Sequence, residues 1–163
     1  MYDPNKAHYV VATGIIVKDG KYLIAKRSEK EKAFPGKWTV PGGKLEVDDY
    51  KKRPQDTAAG QWYNICEDIV KREVMEEVGL KVKGLKYVTS LVFVRPDGIS
   101  TLVISLAGDY AEGEVKLCKD LTDYAWVTLE EAKNYELIDG IYEEIEMLDN
   151  SLKGKDMGTW KNK

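Results

Sequence analysis

Hydrophobic positions first divide the chain into short runs of β character. Tyr9 to Val17 and Lys21 to Arg27 are rich in β-branched and aromatic residues, and Asp19-Gly20 between them favours a type I′ turn, so a hairpin is predicted. Ser28 to Lys37 is polar and breaks at Pro35-Gly36, which predicts a loop leading to a short strand at Trp38 to Val40. The period then changes. Val70, Val74 and Val78 recur every four residues and predict a helix with one arc in a core, closed by Gly79 just past its last turn. Lys81 to Thr89, Ser90 to Val94 and Ser100 to Ala107 read as strands, the latter two joined at Pro96-Asp97-Gly98, and Asp123 to Val127 as one more. Leu129 to Tyr135 reads as a short helix and Gly140 to Leu148 as an amphipathic one, with Ile141, Ile145 and Leu148 on one side. This order predicts an α/β fold with a mixed, mostly antiparallel sheet.

A chain of 163 residues with 43% apolar composition suits one domain, here residues 1–150, followed by a polar tail at 151–163 that is expected to fray. The net charge of −3 gives no footprint for nucleic acid, so an anionic substrate would need a metal or local cations. Cys66 and Cys118 are too few and too far apart to predict a disulfide framework or a zinc site. The N-terminus lacks the pattern of a signal peptide and no apolar run approaches membrane-spanning length; the expectation is a cytoplasmic protein without membrane partners.

The chemistry concentrates in Lys71 to Leu80, KREVMEEVGL. Glu73, Glu76 and Glu77 stand three and four residues apart on the face away from the valines. Like charges at that spacing cost an isolated helix roughly 0.2–0.5 kcal/mol per pair, and crowding raises the carboxylates' proton affinity. An acidic face can simply be solvated. Upstream, however, Pro41-Gly42-Gly43 allows a tight turn that brings bare backbone amides and carbonyls near the helix.

These residues resemble the Nudix family. The second half of the Nudix box matches Arg72-Glu73-Val74-Met75-Glu76-Glu77-Val78-Gly79-Leu80 without a miss, and its first half matches at Gly43, preceded by Trp38, Pro41 and Gly42 as in MutT-like members. The middle departs from the pattern. Counting forward from Gly43 puts the first box glutamate at Asp49, whereas counting back from Arg72 puts it at Asn64, so about fifteen residues are inserted near 49–64. In the family that glutamate pairs with the box arginine; here the candidate partners of Arg72 are Asp49 and Asp68. The resemblance implies an αβα sandwich and a hydrolase that cleaves phosphoanhydride bonds of nucleoside diphosphate derivatives with Mg²⁺, or Mn²⁺.

Carried over by position, the resemblance implies Glu76 and Glu77 as principal metal ligands, the carbonyl of Gly43 as a loop ligand, and Glu73 as a ligand or water activator. A further acidic ligand is placed at Asp109, with Glu112 and Glu114 as competitors. Arg27, with Lys26 beside it, and Lys44 are candidates for the phosphates; Phe34, Trp62 and Tyr63 are candidates for the base, whereas Trp38 and Trp126 fit packing better. His8 is the only histidine and fits an ordinary strand entry, which leaves no histidine-based nucleophilic mechanism. A nucleoside triphosphate is the leading substrate. ADP-ribose is a second option, through Pro96 sixteen residues past the box, and a non-catalytic nucleotide-binding module a third. The expected partner is a small nucleotide, with a second copy of the chain as an option. The insertion, carrying Lys51, Lys52, Arg53, Gln55, Trp62 and Tyr63, is read as a flap beside the site.

Overall fold

A computed structural model describes residues 1 and 3–160. The predicted hairpin forms from β1 (Tyr9–Lys18) and β2 (Lys21–Arg27). Asp19 and Gly20 both adopt left-handed backbone, with φ of 51° and 72°, as a type I′ turn demands. After Val17↔Tyr22 the two strands part, and β3 (Trp38–Thr39) pairs with β2 further along at Ala25 and Lys26. β4 (Gly42–Lys44) pairs with the freed half of β1, Thr13↔Gly42 to Val11↔Lys44, so the glycine turn is itself a strand of the sheet.

Downstream strands complete a mixed sheet. β5 (Lys81–Val94) is antiparallel to β6 (Ser100–Glu112), and β7 (Leu121–Val127) is antiparallel to β2. The parallel pair is β1 with β6, in register from Tyr9↔Thr101 to Val17↔Asp109. Strand boundaries differ from expectation most in β5 and β6, and β7 begins two residues early, at Leu121. Lys81 to Thr89 and Ser90 to Val94 are one long strand, because backbone pairing with β6 continues through Thr89 and Ser90. β6 likewise runs past Ala107 to Glu112, held by β1 on one edge and β5 on the other.

Helices cover both faces. Between the turn and the main helix lies a single turn, α1 (Asp48–Lys51), and α2 (Ile65–Val78) follows, ending at Gly79 with φ 71°. Ile69, Val70, Val74 and Val78 of α2 are fully buried against Ala12, Ile16, Leu23 and Leu106. Each such valine contributes about 1.5–3 kcal/mol by burial. Gly14 makes the close approach feasible, since a Cβ there would lie 2.5 Å from Val70 Cγ1. On the other face α3 (Leu129–Ala132) and α4 (Ile141–Leu152) pack over Ile15, Tyr22, Ile24 and Val127. α3 is shorter than predicted, and a capping box of Thr128 and Glu131 starts it. α4 runs past Leu148; in the tail beyond it Met157 packs against this second core and Trp160 approaches Gly140, while residues 161–163 of the expected tail lie outside the described residues. The predicted αβα sandwich is therefore the observed one.

Candidate active site

The glycine turn and the acidic side of α2 meet at Glu77. Pairing with β1 aims the Gly42 N–H at the helix, and it donates to Glu77 Oε2 at 3.0 Å. Gly42 has no room for a side chain, since a Cβ there would lie 2.6 Å from the Ala12 carbonyl oxygen, and a Cβ on Gly43 would push aside the Glu73 carboxylate. Burial pushes the Glu77 carboxyl up to about 7; the Gly42 amide opposes the shift, Glu73 adds to it, and the charges of Arg27 and Asp120 act in opposite directions. Glu73 is also raised by burial, against the pull of Arg72.

Arg72 organises the remaining carboxylates. Its Nε donates to Asp49 Oδ1 at 2.6 Å and its Nη2 to Asp49 Oδ2 at 3.3 Å and the Lys44 carbonyl at 3.1 Å, while Nη1 reaches Glu73 at 2.7 Å and Glu76 at 3.2 Å. The Asp49 side chain is only 3% exposed and also accepts the Glu46 amide at 2.7 Å. Burial works to raise its pKa, but the Arg72 and Glu46 hydrogen bonds together hold it below the usual carboxylate range. Asp49 is thus the partner of Arg72, one residue type shorter than the family's glutamate and at the family's distance from Gly43. Asp68 turns instead to Arg53, at 3.5 Å. The insertion consequently enters after the loop has been pinned to the helix.

The other predicted residues divide. Arg27 donates to the Ala33 carbonyl at 2.8 Å and to Glu31 at 2.9 Å, and its charge is felt at Glu77. Phe34, in the same loop, is half exposed with φ 50°. Lys44 Nζ lies 5.3 Å from the ring centroid of Tyr9, and Arg95 reaches the same ring at 5.3 Å. Tyr63 is exposed, whereas Trp62 packs on Tyr50 at 5.2 Å between ring centroids and donates to the Arg53 carbonyl at 3.2 Å, inside the insertion.

Asp109 is not brought to the acidic helix. It pairs opposite Val17, five β1 residues beyond Ala12, the partner of Gly43, or about 16 Å along the strand at 3.3 Å per residue. Its neighbour Glu112 pairs with Lys81 at 3.2 Å. Asp120 is the acidic residue that sequence reasoning missed. The connection before β7 packs on the end of α2, where the Cys118 N–H donates to the Glu77 carbonyl at 2.9 Å, and Asp120 comes close enough to raise Glu77's proton affinity. Its signal in the sequence was only an acid three residues ahead of the strand read at Asp123 to Val127, and directly before the observed β7.

Among the described residues no three His, Cys, Asp or Glu side chains form a ready-made chelate, because Arg72 holds Glu73 and Glu76 while Gly42 holds Glu77. The donor set nevertheless fits a hard divalent cation, being all carboxylate and carbonyl oxygen, with two of the carboxylates at raised proton affinity. No helix among the described residues is long and apolar enough to cross a membrane.

The acidic helix, the glycine turn that Arg72 locks to it and the αβα sandwich are the arrangement that the resemblance to Nudix pyrophosphohydrolases implies. The NUDIX domain family matches residues 8–148, and the chain belongs to that family. A nucleoside triphosphatase, NudI of Klebsiella pneumoniae strain 342, is 30% identical over 134 residues, covering 76% of this chain and 84% of NudI. Among solved structures, the MutT protein of Methanosarcina mazei Go1 is 25% identical with a TM-score of 0.66, covering 91% of this chain and 98% of that one. The NUDIX domain of Shewanella oneidensis NrtR, solved with ADP ribose, shares the fold with a TM-score of 0.67 at 18% identity, covering 93% of this chain and 94% of that one.

Proposed function

We propose that the protein hydrolyses a phosphoanhydride bond of a nucleoside triphosphate with Mg²⁺, or Mn²⁺, held by Glu73, Glu76, Glu77 and the carbonyl of Gly43, and that Asp120 takes the part expected of Asp109. The observation that carries this reading is Glu77, buried beside the turn, its pKa pushed up to about 7 and one oxygen fixed by the Gly42 amide. When bound, the cation neutralises phosphate oxygens and lowers the pKa of a coordinated water.

The chain's own residues supply orientation and charge. Gly42 fixes the rotamer of Glu77, and Arg72 sets Glu73 and Glu76 relative to the loop through Asp49. A carboxylate whose pKa lies near neutrality is suited to accept a proton from an attacking water, and Glu77 fits that description; Glu73, whose proton affinity burial also raises, is the other candidate for the part. Arg27, whose charge is felt at Glu77, and Lys44, on the glycine turn, are the cations proposed to meet the triphosphate tail. The relatedness to a nucleoside triphosphatase supports the substrate class, and the ADP ribose of the NrtR domain makes ADP-ribose the natural competitor. A panel of ribo- and deoxyribonucleoside triphosphates and ADP-ribose, with and without Mg²⁺ and with the nucleotide products separated by chromatography, tests the reading. Turnover of at least one triphosphate above ADP-ribose, dependent on the metal, is expected. Turnover of ADP-ribose alone, or of nothing, refutes it.

A further inference from the structure

Glu144 takes no part in the chemistry described so far. It projects from α4 toward the sheet with 2% exposure, its Oε2 has no hydrogen-bond partner, and burial raises its pKa against the opposing pull of the Ser105 hydroxyl. Ser105 is fully buried on β6 and accepts a hydrogen bond from Thr13 Oγ1 at 3.2 Å, across the parallel register Thr13↔Ser105. The opposite edge of Thr13 meets β4. A Cβ on Gly42 would lie 2.8 Å from both Cα and Cγ2 of Thr13, so Thr13 packs directly on the glycine whose N–H holds Glu77 at 3.0 Å.

A continuous path therefore crosses the sheet from one helical layer to the other. A buried carboxyl with an unpartnered oxygen destabilises a fold, and leucine in its place would remove that penalty. What Glu144 supplies in return is orientation. A threonine has few staggered rotamers; the bond to Ser105 selects one of them and so sets the methyl that bears on Gly42. We propose that Glu144 is a positioning residue for Glu77, acting through Ser105, Thr13 and the Gly42 backbone. The meaning of Glu77 in this proposal rests on the hydrolase reading above, but the mechanical path does not.

Two measurements test it together: steady-state kinetics on an accepted triphosphate at saturating Mg²⁺, and amide hydrogen exchange at Gly42. Glu144→Leu should lower kcat at least fivefold with KM within twofold, speed Gly42 exchange at least tenfold, and leave the melting temperature equal or higher. Glu144→Gln keeps an oxygen to accept from Ser105 and should restore kcat to within twofold of the natural protein. If Glu144→Leu does not fold, Thr13→Val carries the same kinetic and exchange expectations. Unchanged kcat and unchanged Gly42 exchange in the variant that folds overturn the proposal. So does activity that falls in step with melting temperature while Gly42 exchange stays constant, which is the mark of packing alone. Should the natural protein hydrolyse no nucleotide, Gly42 exchange alone decides the proposal, and the failure belongs to the functional reading.

Discussion

The acidic side of α2 and the insertion that precedes it are neighbours in sequence and opposites in electrostatics. Within the insertion charges are matched locally: Arg53 binds both oxygens of Asp56 at 3.0 and 2.9 Å and the Tyr63 carbonyl at 2.6 Å, and Lys52 meets Asp48 at 2.8 Å. Along the helix one guanidinium serves Asp49, Glu73 and Glu76, and Glu77 has only an amide. The contrast separates scaffolding from chemistry. Where charges are matched a loop is being held in shape; where carboxylates outnumber their cations, the proposed metal would supply the missing positive charge.

The largest effect should come from Glu77. Glu77→Gln is expected to lower kcat by about 10²-fold or more at saturating Mg²⁺, the range for losing a positioned proton acceptor, while circular dichroism stays native. Glu76→Gln should act in the same direction. Near-natural turnover by Glu77→Gln would end its assignment to the reaction.

Arg72→Ala strikes the junction of the two regions. Removing one member of a buried pair costs about 3–5 kcal/mol, and because the guanidinium is about a quarter exposed the lower end, about 3 kcal/mol, is expected here. Urea unfolding measures it, and a change below about 1 kcal/mol would show that Asp49 does not rely on Arg72 for its burial.

Metal addition should sharpen the contrast further. A ligand that binds only the folded state at a hundredfold excess over its Kd adds about 2.7 kcal/mol, so melting temperature should rise with millimolar Mg²⁺ or Mn²⁺. A flat response, with and without nucleotide, would mean that the excess negative charge on α2 attracts no cation.

Opposite pH signatures are expected from the two carboxylates. Glu77 has a raised folded pKa of about 7, so its contribution without metal is fully present below its unfolded value, about 4.3, and is lost as pH rises through 7. Asp49 has a lowered folded pKa, so its contribution is present above its unfolded value, about 3.9, and is lost only as pH falls through the folded one. Glu77→Gln should therefore make the metal-free protein more stable than the natural one at pH 8 and not at pH 4. Equal stability at pH 8 would show that Glu77 is better solvated than its position indicates.

The smallest effect is expected from the insertion. Replacing Tyr50 to Tyr63 by a short glycine-containing join should leave Mg²⁺ binding and hydrolysis in place and shift KM or the order of substrates severalfold, if the loop acts as a flap. Identical kinetics across a nucleotide panel would make it scaffolding alone. Loss of metal binding would instead tie it to the glycine turn, through Asp49.

Much of this protein was legible without coordinates because its signals are local. The type I′ hairpin at Asp19-Gly20, the valine stripe of α2, its stop at Gly79 and the three clustered glutamates depend on residues within a few positions of one another, and the nine-residue half-box placed the acidic helix beside the glycine turn. The tertiary structure decided what distant register decides. The parallel pairing of β1 with β6 carried Asp109 to the far end of the strand, and the packing of the β6–β7 connection on α2 brought Asp120 toward Glu77. Arg72 had two candidate partners in the sequence, and the turn of chain at Glu46 to Asp49 chose between them by burying Asp49 against the helix. Glu144 stands three residues from Ile141 and four from Leu148, beside the apolar stripe, so the period already put it at the edge of the covered arc; the docking of α4 decided that its carboxyl is buried.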